Sequence, residues 1–159
     1  MPYTILISEI NDVIRKFNIF LTNDKSIPLL SQVNGELQSE LIKVVHGNWN
    51  AFPFPNAQRR GVYFAFGKKQ DTSKLGLYIG KASFNSTIGK RLYSHLRIHA
   101  DAEFFTMKGA NDQVFIIEYL ASIDLDALNM HFMASSLEEY LISNLTNKLP
   151  LMNVTGANS

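Results

Sequence analysis

Two short apolar runs, Gly61 to Phe66 and Leu75 to Ala82, flank a polar stretch rich in glycine, lysine, aspartate, threonine and serine. Strand-forming runs of this length, joined by turn-forming residues, specify a β-hairpin. Successive side chains of a strand point to opposite faces, so Val62, Phe64 and Phe66 share one face, with Tyr63 and Ala65 on the other. Leu77 and Ile79 likewise oppose Tyr78 and Gly80. A register that places both tyrosines on one face sets two phenols side by side.

The remaining elements follow from period and punctuation. Tyr3, Leu6, Ile7, Ile10, Val13, Ile14, Phe17, Phe20 and Leu21 recur at three and four, which makes the first element an amphipathic helix. Leu37, Leu41, Ile42, Val44 and Val45 predict a second helix, closed by Gly47 after His46. Asn48 to Asn56 holds Trp49, Phe52, Phe54 and two prolines and predicts an ordered aromatic loop, its rings packed on the core or lining a groove for a base. Thr87 to His99 predicts a helix and Val114 to Ala121 a buried strand. Ser135 or Ser136 is positioned to cap a last helix reaching about Lys148, with Glu138 and Glu139 in its first turn and Pro150 beyond its end. The predicted architecture is α+β, a small antiparallel sheet flanked by helices. Residues 1–57 form an N-terminal helical extension packed on a core of residues 58–159.

Composition narrows the function. At 159 residues, with 46% hydrophobic and 18% charged residues, the chain suits one globular domain. No apolar run approaches the roughly 20 residues that span a bilayer, and the charged, helical start lacks a basic leader region, so the expected location is cytoplasmic. The absence of cysteine removes thiolate metal ligands and cysteine nucleophiles. Net charge is only +1, yet nine of the fifteen basic residues and one of the fourteen acidic ones lie between Gln58 and His99. That basic block suits a polyanion-binding face, or simply a solvated hairpin and helix.

Within the last helix, Leu137, Leu141, Ile142 and Leu145 define an apolar arc at about 100° per residue. Glu138 falls near its middle and Glu139 outside it. An inward carboxylate is costly unless it is paired or bound to a cation. Arg91 and His95 stand one turn apart on the preceding helix, bordering the stripe of Ile88, Leu92 and Leu96.

Taken in order, Gly61-Val62-Tyr63, Tyr78-Ile79-Gly80-Lys81-Ala82, Arg91 with His95, Glu138 before Leu141-Ile142, and Asn153 resemble the GIY-YIG nuclease family over roughly the last hundred residues. The resemblance implies a ββαβα core and cleavage of DNA with one divalent ion, Mg²⁺ or Mn²⁺, held by Glu138. It implies that Arg91 grips the scissile phosphate, that Tyr63 takes a proton from the attacking water, and that Tyr78 and His95 orient the phosphate or the base. A guanidinium and a metal beside Tyr63 are expected to lower its phenol pKa. Lys81 has two readings, a phosphate or phenol contact or a solvated strand end; Asn153 likewise touches phosphate or anchors the helix end. Lys90, Lys68 and Lys69 are further expected DNA contacts. The Arg91-x-x-x-His95 pair leans toward the restriction-enzyme branch, in which a double-strand break calls for a homodimer. The alternatives are a non-catalytic nucleic-acid-binding or partner-binding module on the same fold, and a repair or mobile-element nuclease acting on branched DNA.

Overall fold

The computed structural model describes residues 3–22, 24–30, 41–43, 56–98 and 105–153. In chain order the elements are α1 (Thr4–Asn18), β1 (Leu41–Lys43), β2 (Gly61–Lys69), β3 (Leu75–Ala82), α2 (Ile88–His95), β4 (Leu96–Ile98), β5 (Phe105–Lys108), β6 (Val114–Asp124) and α3 (Ala134–Leu145). The fold is α+β: an antiparallel sheet in the order β3-β2-β6-β5-β4, with helices on both faces. β1 adds to β6 where β5 leaves off, pairing Leu41–Lys43 with Tyr119–Ala121. No described helix is long and apolar enough to cross a membrane.

The hairpin sits at the centre of the packing. Along β2 the first seven residues, Gly61 to Gly67, are all buried. Val62, Phe64 and Phe66 join Leu77, Ile79, Ala121 and Ile123 under α1 and α3. Tyr63 and Ala65 pack instead with Ile88, Leu92, Leu96, Met107 and Phe115 on the α2 face. The alternation read from the sequence therefore holds, and a strand between two cores must be apolar on both sides. On α1 the apolar stripe is buried in the expected order, Leu6, Ile7, Ile10, Val13, Ile14 and Phe17.

Five expectations change. Residues 41–43 are a strand, not part of a helix: a short apolar run fits either period, and the free edge of β6 takes it up. Leu37, Val44, Val45, His46, Gly47 and the aromatic loop through Trp49, Phe52 and Phe54 lie outside the described residues. The helix expected over Thr87 to His99 ends at His95, because Leu96 turns extended and pairs with Met107 of β5. The last helix begins at Ala134 with no side-chain cap, continuing from a turn at His131–Met133, so neither Ser135 nor Ser136 is its cap. Glu138 and Glu139 consequently fall in its second turn, beyond the reach of a first-turn dipole interaction. It ends at Leu145, short of Lys148, and Pro150 then presents its carbonyl to the Leu77 N–H.

Candidate functional site

Tyr63 meets Gly80 across the hairpin and Ala65 meets Tyr78, so the two tyrosines are diagonal neighbours on one face. Their rings stack with centroids 6.2 Å apart. The stack needs Gly80. A Cβ on that residue would sit 2.6 Å from Cε2 of Tyr63 and closer still to its Cζ and Oη. The glycine is thus the floor beneath the Tyr63 ring, which explains why a residue without a side chain stands in an apolar strand.

α2 lies over this face. Thr87 caps it, its Oγ1 accepting from the Lys90 N–H at 3.3 Å, and Ile88 and Leu92 are buried beneath it. Arg91 is exposed, but its charge reaches Tyr63, Tyr78, His95 and Glu138. The His95 ring tilts against Tyr78 at 5.3 Å. Lys90, one residue from Arg91, is exposed on the helix surface.

The acid arrives from α3. Glu138 is largely buried while Glu139 is exposed, as the apolar arc of Leu137, Leu141 and Leu145 requires. Glu138 lines a cavity of about 490 Å³ with Tyr78, Lys81, Ser135, Ser143 and Asn153. Lys81 Nζ donates to Ser135 Oγ at 2.7 Å, and this bond fixes the ammonium beside the carboxylate. Ser135 is a residue the sequence reading valued only as a cap. Its position three before Glu138, on the same helix side, was the available signal. Asn153 Nδ2 donates to the Ile79 carbonyl at 3.0 Å, tying the chain end beyond α3 to β3. Anchoring is therefore part of its role.

Electrostatics at the site are governed by burial. Burial pushes the Glu138 carboxyl above its usual range, and Lys81 and Arg91 only partly oppose it. Burial also raises the Tyr63 phenol, with Tyr78 adding to the rise and Arg91 pulling against it. The expected lowering by Arg91 is thus present but outweighed, since Tyr63 is 0% exposed. Tyr78 is raised too, again chiefly by burial. His95 is pushed below the ordinary histidine value by burial first and Arg91 second, so it is neutral at pH 7.

Three side-chain polar atoms among the described residues are buried without a hydrogen-bond partner: Tyr63 Oη, His95 Nε2 and Asn153 Oδ1. All three belong to residues singled out from the sequence, and all lie around this one face. Such orphans are rare and costly, and they mark places where a water, an ion or a ligand belongs. Arg91 and Tyr78 lie near Tyr63 Oη without closing a well-formed bond to it.

Two expected DNA contacts stand apart. Lys68 faces the α1 side, where it approaches Glu118 at 3.8 Å, and Glu118 also accepts the Tyr3 hydroxyl. Lys69 sits where the chain leaves β2, its N–H bonded to the Lys74 carbonyl. The structure therefore gathers Tyr63, Tyr78, Lys81, Arg91, His95, Glu138 and Asn153, and leaves Lys68 and Lys69 outside the cluster.

Among the described residues no three of His, Asp and Glu gather into a cation cage. Glu138 has no ion-pair partner within 4 Å among them, and the exposed Glu139 lines the same cavity. A donor set of this kind fits a hard ion that retains most of its waters and takes its remaining oxygens from substrate. Compared with known proteins, the chain matches no family model, no curated protein and no solved structure.

Proposed function

We propose that the chain is a GIY-YIG-type endonuclease that hydrolyses DNA phosphodiester bonds, with Glu138 holding Mg²⁺ or Mn²⁺. The observation that carries this reading is the grouping of the three orphaned buried atoms with a cation and a desolvated acid around one face. These residues come from β2, β3, α2, α3 and the segment after it, and no packing requirement brings such polar groups together.

Each residue has work suited to its chemistry. Arg91, exposed and permanently charged, offers a planar fork to two oxygens of an incoming phosphate. Glu138 provides the oxygen ligand for the ion, which when bound supplies Lewis-acid stabilisation of charge on the phosphate. Lys81, tethered by Ser135, adds a fixed positive charge beside it. Neutral His95 has one ring nitrogen free to accept or donate toward the bound strand. Tyr63 is the proton acceptor for the attacking water. Its raised pKa means that this role depends on positive charge beyond that of Arg91, which an ion held by Glu138 would supply. Burial of the phenol is also the observation that favours a second reading, a nucleic-acid-binding module without catalysis.

Nicking of supercoiled plasmid by the purified protein separates the two. Cutting that requires Mg²⁺ or Mn²⁺, stops with EDTA, and is lost in Glu138→Ala and Arg91→Ala supports the enzyme. Tight DNA binding with no cutting in any divalent ion supports the module. Flap and junction substrates compared with plain duplex distinguish a branched-DNA nuclease from a restriction-type one.

A further inference from the structure

The cavity at Glu138 has a neighbour. Tyr78 and Asn153 are shared walls with a second, more open trough of about 440 Å³, whose other lining includes Lys108, Gly109 and Asn111. Its volume lies in the range of small-molecule sites, about 300–1,000 Å³. The trough is rigidly backed. The Ala110 N–H bonds the Met152 carbonyl at 2.9 Å, and the Met152 N–H bonds the Leu77 carbonyl at 2.7 Å, so the turn is tied through the 150–153 segment to β3. Asn111 and Asp112 are held at φ 57° and 58°, two successive left-handed residues without glycine. Asn and Asp are the residues other than glycine that enter this region most readily, which suits them to so sharp a turn.

The lining also has a ligand chemistry. Lys108 is 55% exposed, and its one ion-pair partner among the described residues, Asp112, is 91% exposed at 3.6 Å. So open a pair is worth little and yields readily to a phosphate. Asn153 lines both cavities, spends its amide nitrogen on Ile79 and keeps a buried, unpaired Oδ1. A cation for a phosphate and a tyrosine ring for a base lie together in one trough. They suit a nucleotide.

We propose that this trough holds the nucleotide next to the scissile phosphate, with Lys108 on the neighbouring phosphate and the strand passing along Tyr78 and Asn153. The assignment rests on the nuclease reading and extends it, giving the bound strand a path from Arg91 and Glu138 toward the Lys108–Asp112 turn.

The test is fluorescence anisotropy with a short fluorescein-labelled DNA duplex, titrated in EDTA across a salt series, alongside plasmid nicking. Lys108→Ala is compared with Lys16→Ala, an equal charge change on the exposed side of α1. The expected result is weaker binding by Lys108→Ala and a log K against log salt slope shallower by about 1, the mark of one lost phosphate contact. Lys16→Ala should match wild type. If wild type binds and nicks while Lys108→Ala binds with the affinity and slope of Lys16→Ala, the trough assignment is overturned and the nuclease reading stands. If wild type neither binds nor nicks, both are overturned. Thermal melting of each variant confirms that it is folded.

Discussion

Tyr63→Phe should stabilise the protein while removing its activity. The ring is fully buried, stacks on Tyr78 and lies over Gly80, and phenylalanine keeps all of those contacts. What changes is one hydroxyl whose oxygen has no hydrogen-bond partner. Burying such a group costs about 1–3 kcal/mol. The proximity of Arg91 and Tyr78 argues for the lower end of that range. Against the gain stands the small void left by the oxygen. At about 24 cal/mol per Å³ and roughly 10–15 Å³, that void costs about 0.3 kcal/mol. The net gain is about 1 kcal/mol, which raises Tm by about 2–4 °C in a domain of this size. Urea denaturation followed by circular dichroism, with and without EDTA, measures it directly. A loss of 1 kcal/mol or more would refute the reasoning, because it would mean that the hydroxyl is a satisfied structural bond. Loss of nicking together with gained stability is the outcome that separates a functional phenol from a packing one.

Gly80→Ala drives a methyl into the buried Tyr63 ring and should cost about 1–3 kcal/mol by overpacking, read as a lower urea midpoint. Burial holds the Glu138 carboxyl above its ordinary value of 4.5 in the folded state, so its stabilising contribution is present below that pH and is lost as pH rises through the raised value. Glu138→Gln should therefore melt higher than wild type at pH 7, with the difference shrinking toward pH 4. Mg²⁺ should raise the Tm of wild type and not that of Glu138→Gln, since an ion bound only to the folded state stabilises it. His95 carries the opposite sign. Its pKa is depressed below 6.5, so its contribution is present above that value and is lost as pH falls through the folded one. His95→Gln should flatten the decline in Tm below about pH 6.5.

Much of the site was legible because period and packing agree there. The two-residue alternation of β2 and β3 put both tyrosines on one face, and the helical period put Glu138 inward and Glu139 outward. What was not legible depends on partners distant in sequence. Leu41–Lys43 forms a strand only because β6 leaves an edge free at Tyr119–Ala121, and no local pattern records that edge. Leu96 leaves the helix because Met107 offers it a strand to pair with. The α3 start was misplaced because a serine cap is a local signal, whereas the helix here grows out of the His131–Met133 turn. Ser135 instead serves Lys81, a contact spanning 54 positions. Composition shows the basic block but does not reveal that Lys68 faces Glu118 and α1.

The most direct measurement is a double-mutant cycle on the single-turnover cleavage rate, using Arg91→Ala, Glu138→Ala and the double variant in saturating Mg²⁺. Residues that act on one phosphate as a unit lose nearly everything singly, so the double variant should cut no more slowly than the worse single one. Independent, multiplying losses, or cutting by either single variant at the wild-type rate, would contradict a shared site built from the two.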